Sequence, residues 1–230
     1  VRVVSLVPST TETLLAWGVD VVACTRFCEQ PELRQVGGTK DPDIAAIVSL
    51  GPDLVVLDRE ENRLPDAEAL VAAGLAIHVT HVTSIEQVPS VLADLCSAVR
   101  ADPPVETLRL APRAATWATA FVPIWKRPWM TINADTYGAS LLHHLGVETL
   151  FAGHADRYPT LEEHEISDAD PGLVLLPSEP YPFAERHLAA VAKLAPRARV
   201  AMIDGQDLFW WGHRSGAALA RLGDALSRVR

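Results

Sequence analysis

No apolar stretch in this chain approaches the roughly 18 to 20 uncharged residues that a helix needs to cross a bilayer, so the chain reads as soluble. Basic residues are scattered rather than clustered, and the formal net charge of -9 argues against a nucleic-acid backbone or an anionic membrane as the main partner. Cysteine is scarce. The three thiols, Cys24, Cys28 and Cys96, cannot all pair with one another, and the CxxxC spacing of "CTRFC" is neither the redox CxxC nor half of a zinc-finger pattern. Buried thiols or a disulfide are the ordinary reading of such a pair. Catalytic signatures are missing as well: there is no GxSxG, P-loop, GxGxxG or HExxH, which speaks against an enzyme. Nor does histidine offer an obvious metal site. His143 and His144 are neighbours about 100° apart on a helix and cannot share an ion as an i, i+4 pair would. The chain begins inside a strand-like run, "VRVVSLV", with none of the elements of an export signal ahead of it, so any such signal is expected to have been removed or never to have existed.

What is present is enough apolar material to fold. With 230 residues and 49% hydrophobic content, the chain buries a substantial core as one large domain or two modest ones. The first third alternates between strand and helix. "VRVVSLV", "VDVVAC", "PDLVVLD" and "LAIHVTHV" are strands. "PSTTETLLAWG", "DPDIAAIVSLG" and "LPDAEALVAAG" are helices opened by Pro, Ser or Thr and closed by Gly, with Ser9 or Thr10 as the expected cap of the first. Alternation of this kind implies a mostly parallel sheet covered by helices.

A different segment follows. "SIEQVPSVLADLCSAVR" carries Ile85, Val88, Val91, Leu92 and Leu95 on one face, which predicts a continuous helix from Ser84 to about Arg100, roughly 25 Å long. "ADPPVETLRLAPRAATWATAF" adds proline breaks, with Pro103 and Pro104 the expected weak point, and further helical material. Alternation then resumes: "WMTIN" is a strand, "DTYGASLLHHLG" a helix, "LVLLP" a strand, "FAERHLAAVAKL" a helix, "RVAMID" a strand and "SGAALARLGDALSRV" the closing helix. The expected organisation is an N-terminal α/β lobe over residues 1–83, a bridging helical segment over 84–112 and a C-terminal α/β lobe over 113–230.

The blocks "VVSLVPSTTETLLAWG", "VGGTKDPDIAAIVSLGPDLVVLDREEN", "RPWMTINADTYGASLLHHLG" and "LLPSEPYPF", in that order, resemble class III substrate-binding proteins of ABC importers, the helical-backbone metal receptor group that includes cobalamin- and siderophore-binding proteins. The resemblance implies two α/β lobes with mostly parallel sheets joined by one long helix, and a ligand cleft between them. It implies a monomeric, non-enzymatic protein working outside the cytoplasm. Its partners would be a small metal chelate and an ABC permease dimer, and it would carry no covalent cofactor.

In such a fold the ligand lies off the carboxyl ends of the strands, which nominates particular residues. From the first lobe these are Pro8, Ser9 and Thr10, then Thr39 and Lys40 of "VGGTKDP", then Arg59 of "DREEN". From the second they are Trp125, Trp129 and Asn133 around "WMTIN", then Trp210 and Trp211 of "DLFWWG". The tryptophans would offer apolar planes to a large chelate. Aromatic candidates outnumber basic ones, of which Lys40, Arg59 and Arg127 are the evident members. That makes a corrinoid such as cobalamin the first choice of ligand, ahead of a ferric siderophore or haem. The resemblance also implies one docking carboxylate per lobe for the permease: Glu60 or Glu61 on the first, Glu179 or Glu185 on the second. Two other readings stay open, a cytoplasmic cofactor chaperone or sensor of the same fold, and a metal-dependent enzyme built on Cys24, Cys28 and a histidine.

Overall fold

The computed structural model describes residues 1–102 and 108–230, so Pro103 and Pro104 lie outside the described residues. The chain divides into two compact units. One comprises Val1–Val82, Gln87–Leu108 and Trp211–His213, the other Thr83–Glu86, Arg109–Trp210 and Arg214–Arg230.

The first unit runs β1 (Arg2–Ser5), α1 (Pro8–Ala16), β2 (Asp20–Cys24), β3 (Arg34–Gln35), α2 (Ile44–Leu50), β4 (Leu54–Asp58), α3 (Leu64–Ala72), β5 (Ile77–Thr80) and α4 (Val88–Val99). Its sheet has the order β3-β2-β1-β4-β5, with every pairing parallel. All five residues of β4 are buried, as expected for a parallel strand covered on both faces. One face packs Val4, Leu6, Val55 and Leu57 against Ile47 and Leu70 from α2 and α3. The other packs Val3, Val21 and Val56 against Leu14 of α1 and Leu95 and Val99 of α4.

Helix ends follow local chemistry. Asp43 caps α2 by accepting from the Ala46 N–H at 2.9 Å, and Gly51 closes it in the left-handed region at φ 53°. The start of α1 departs from expectation. Its cap is Val7, without a side-chain hydrogen bond, and Ser9 and Thr10 are buried inside the helix. Pro8 is the reason: its fixed φ and missing N–H suit a first helical position, so the helix begins ahead of both hydroxyls. The helix expected from Ser84 to Arg100 also begins differently, as a 3-10 turn over Ile85–Gln87, and is α-helical over Val88–Val99.

The second unit runs β6 (Ala118–Phe121), β7 (Trp129–Met130), α5 (Tyr137–His144), β8 (Val147–Thr149), β9 (Thr160–Leu161), α6 (Glu163–Asp168), β10 (Leu173–Pro177), α7 (Leu188–Leu194), β11 (Arg199–Ile203), α8 (Gly205–Phe209) and α9 (Ser215–Ser227). Its parallel sheet has the order β11-β10-β6-β8. Two sequence expectations are corrected here. "ATAF", expected as helical material, is the strand β6; its Ala-rich composition favours a helix, but pairing with β10 and β8 on either side overrides that preference. "WMTIN", expected as a strand of the main sheet, contributes only Trp129–Met130, which pairs antiparallel with β9 in a separate two-stranded ribbon.

That ribbon folds Trp129 inward. The indole is 5% exposed and joins the core of Phe121, Leu161, Ile166, Val174, Leu176 and Phe183. It stacks on Phe183 at 6.2 Å with the planes 3° apart and meets Phe121 edge-on at 6.1 Å, while Nε1 donates to Glu163 Oε1 at 3.4 Å. Truncation to alanine removes the filling of this core and leaves a cavity. Trp129→Ala is therefore expected to cost about 3–5 kcal/mol of stability, read as a lowered urea midpoint with unchanged slope. A loss within about 0.5 kcal/mol, the scale of a surface substitution, would contradict the core assignment.

Candidate functional site

Parallel strands open all their carboxyl-terminal loops on one edge of the sheet, and in each unit the candidate residues gather on that rim. In the first unit the rim holds Pro8–Thr11 after β1, Thr25–Cys28 after β2, Val36–Lys40 after β3 and Arg59–Asn62 after β4. Asn62, which sequence reasoning passed over, ties three of these together. Its Nδ2 donates to the Leu6 carbonyl at 3.2 Å and the Thr39 carbonyl at 2.9 Å, while its Oδ1 accepts from the Asp58 N–H at 2.8 Å. Only one signal in the sequence points to it, an amide side chain four residues beyond a strand-ending aspartate.

Asp58 completes the knot. Its Oδ1 accepts from the Glu60 N–H and its Oδ2 from Thr80 Oγ1, both at 2.8 Å. Burial raises the Asp58 pKa against the pull of these donors, and the nearby Glu60 carboxylate adds to the rise. Glu61 is also pushed upward, by desolvation first and then by Asp58. Its side chain reaches solvent, so screening by water limits that shift. Lys40 is exposed and donates to the Glu60 carbonyl. Thr39 is buried and Arg59 exposed. Pro8 is half-buried, whereas Ser9 and Thr10 are buried. Phe27 stands 51% exposed on the same rim, with the Arg26 guanidinium 4.8 Å above its ring.

The second unit's rim is aromatic. Trp125 lies past the end of β6 and is 45% exposed, held by a bridge to Met130 and by an edge-on contact with Tyr181 at 5.3 Å. Tyr181 lies past the end of β10 and leans on Phe183 and His187. The segment "LLPSEPYPF" nominates its glutamate in the sequence and not this tyrosine, although an aromatic just beyond "LVLLP" carries the same positional signal as Trp125. Trp210 follows β11 through α8 and is half-buried, with the Arg214 guanidinium 5.4 Å from its ring. Asp207, 2% exposed, braces that corner. It accepts Arg221 in a two-pronged pair at 2.7 and 2.6 Å and Arg214 at 3.4 Å. Gly205 allows the β10 and β11 loops to meet, because a Cβ there would lie 2.5 Å from the Glu179 backbone nitrogen.

Three aromatic and amide candidates sit elsewhere than expected. Trp129 is core, its plane taken by Phe183. Trp211 is 6% exposed and belongs to the first unit, next to Gly212 and His213, whose N–H donates to Thr13 Oγ1 at 3.2 Å. Asn133 is 5% exposed and turns inward, donating to the His154 carbonyl at 3.0 Å and accepting from the Asp135 N–H at 2.8 Å. Its polar groups are used in holding a turn. Among the docking candidates, Glu61 and Glu185 are exposed, while Glu60 and Glu179 are half-buried. Cys24 and Cys28 are buried free thiols and Cys96 is half-buried. Among the described residues no group of three or more His, Cys, Asp or Glu is placed to hold a metal ion.

No family model matches the chain. The vitamin B12-binding protein of Yersinia pestis (strain Pestoides F) is 26% identical over 192 residues, which cover 76% of this chain and 69% of that protein. The periplasmic vitamin B12 binding protein of Vibrio cholerae has the same fold, with a TM-score of 0.82 at 18% identity over 99% of this chain and 97% of its own. The chain is thus similar in sequence to vitamin B12-binding proteins and shares the fold of periplasmic binding proteins. A periplasmic haem-binding protein from Pseudomonas aeruginosa shares the fold as well, with a TM-score of 0.74 at 19% identity over 100% of this chain and 94% of its own. These proteins are named for what they bind, not for a reaction.

The Asp58 knot has a pH signature. Its folded-state pKa is raised above the unfolded value, so folding favours the neutral acid. The stability this contributes is present below the unfolded carboxylate range and is lost as pH rises through the raised value. Asp58→Asn cannot ionise and keeps the neutral form throughout. The stability of the variant minus that of the native chain is therefore expected to grow as pH rises above about 4, by at most about 1.4 kcal/mol per pH unit, and to level off once the native carboxyl ionises, in urea titrations. A difference that shrinks as pH rises would show that the ionised carboxylate is the form the fold prefers.

Proposed function

We propose that this chain is the extracytoplasmic substrate-binding protein of an ABC importer and that it captures a metal chelate, a corrinoid in preference to a ferric siderophore or haem. It is read as a binding protein rather than an enzyme, in keeping with the names of its relatives. The observation that carries the ligand preference is the set of exposed or half-buried aromatic rings, Trp125, Tyr181 and Trp210, each placed beyond the end of a parallel strand in the second unit. Large flat apolar planes suit a macrocycle face. Of the cations on the rims, Arg59 and Arg127 are exposed, and three others are already engaged. Arg26 is committed to Asp41 at 2.9 Å and Arg214 to Asp207 at 3.4 Å, while Lys40 donates to the Glu60 carbonyl. A strongly anionic catecholate chelate would want cations without such commitments.

Equilibrium titration with cyanocobalamin, haemin and two ferric siderophores, followed by tryptophan quenching and calorimetry, tests this directly. Cobalamin is expected to bind tightest, and preference for either other class would overturn the corrinoid reading. Trp125→Ala is expected to weaken cobalamin binding about five-fold, the equivalent of the roughly 1 kcal/mol that ring stacking adds, with the unfolding midpoint unchanged. Unaltered affinity in that variant would remove Trp125 from the site.

Delivery to a permease assigns the exposed glutamates, Glu61 and Glu185, as the docking pair, each able to meet an arginine at an interface that loses its water. Reversing both to lysine is expected to leave ligand affinity as it was and to abolish stimulation of ATP hydrolysis by the cognate transporter in proteoliposomes, because like charges would then face each other. Stimulation by the doubly reversed protein at the native level would exclude these two residues.

A further inference from the structure

The proposed site makes no use of the CxxxC pair. Cys24 ends β2 and is fully buried; the chain then turns, with the Cys28 N–H donating to the Thr25 carbonyl at 3.1 Å, and returns Cys28, 2% exposed, to the end of its own strand. The two thiols are neighbours, and no disulfide joins them. Two hydroxyls converge on Cys28 Sγ, Thr11 Oγ1 and Thr25 Oγ1, each at 3.2 Å. Cys28 is drawn toward the thiolate, chiefly by its neighbour Cys24 and then by the two hydroxyls, while Cys24 is held as the thiol by Cys28 and by burial. A thiolate with a neighbouring thiol is the arrangement in which oxidation ends in a disulfide rather than in higher oxides. Although both sulfurs are buried, the turn that carries them is superficial: Arg26, Phe27 and Glu29 are exposed. A local opening of that turn admits a small oxidant.

We propose that Cys24 and Cys28 form a peroxide-oxidisable dithiol that closes into an intramolecular disulfide. The Cys28 thiolate attacks one oxygen of hydrogen peroxide. The O–O bond breaks, hydroxide leaves, and Cys28 becomes a sulfenic acid. The Cys24 proton passes to that hydroxide to make water, and the Cys24 thiolate attacks the Cys28 sulfur. The S–S bond forms as the S–O bond breaks, and the second hydroxide takes a proton from solvent. Two sulfurs are oxidised, both peroxide oxygens are reduced, and two waters result.

Closure acts on the rim after β1. Thr11 Oγ1 has one proton and three acceptors within reach: Cys28 Sγ, the Val7 carbonyl at 2.8 Å and Ser5 Oγ at 2.8 Å. Oxidation removes the sulfur's negative charge and leaves that proton to the other two. The first turn of α1, Pro8–Thr10, is anchored by the same threonine, so the redox state of the pair reaches that turn without any change of surface charge.

Peptide mapping tests the proposal on the native chain. The protein is treated with hydrogen peroxide, quenched with catalase, denatured, alkylated with iodoacetamide and digested with trypsin. Cleavage after Arg26 separates the two cysteines, so the disulfide appears as two peptides linked through Cys24 and Cys28, with Cys96 still alkylated. In Cys24→Ser the reaction is expected to stop at a Cys28 sulfenic acid that dimedone traps. Full alkylation of both Cys24 and Cys28 at a peroxide dose that oxidises Cys96 would overturn the proposal, as would a disulfide that joins either of them to Cys96. The mapping of the unmutated chain decides the matter even if Cys24→Ser fails to fold.

Discussion

Parallel strand pairing is the constraint from which the rest of this protein follows. A strand buried on both faces can be joined to a parallel neighbour only through a crossover, which returns the chain to the same starting edge and leaves every carboxyl end open on the other. Among the described residues, β4 and β10 are the two strands with all five residues buried, and each is flanked on both sides by parallel partners. Their outgoing loops, Arg59–Asn62 and Ser178–Phe183, are accordingly where polar and aromatic side chains collect. A rim made of loops would be loose without internal ties. Asn62 and Asp58 supply them in the first unit, and Asp207 with its two arginines supplies them in the second.

The tryptophans show how one residue type is divided between packing and display. Trp125 and Trp129 sit four positions apart in the same short hairpin. Met130 forms a bridge to Trp125, and β7 pairs with β9 through Leu161, which directs the Trp129 ring toward Phe121 and Phe183 while leaving Trp125 near the edge. Alternation along a ribbon sends neighbouring side chains to opposite faces, so the ribbon's pairing, and not the aromatic content of the segment, decides which ring is displayed. Tyr181 lies beside Trp125, while Trp129, also a candidate from the sequence, turns into the core.

Hydroxyl chemistry gives the first unit's rim a different character. Thr11, Ser5, Thr25 and Cys28 form a small buried network with more acceptors than protons. Networks of that kind in a region of low dielectric respond as a unit when one member changes charge or covalent state. The Cys28 sulfur belongs to this network, in contact with Thr11 in the first turns of α1.

The sequence by itself determined the class of fold, most helix and strand positions, and the strand-end segments in which functional residues gather, because these depend on periodicity, on Gly and Pro punctuation and on short-range capping. It also determined the family likeness, which rests on blocks of residues in fixed order. Tertiary structure decided the remainder. β6 is a strand because two neighbours pair with it, despite a helical composition. β7 leaves the main sheet because its partner, β9, lies some thirty residues further on, a separation that no local pattern encodes. Asn62, Tyr181, the inward turn of Asn133 and the burial of Trp129 and Trp211 are all products of long-range contacts. A side chain's surroundings are made by residues distant in the chain, and only the folded packing brings them together.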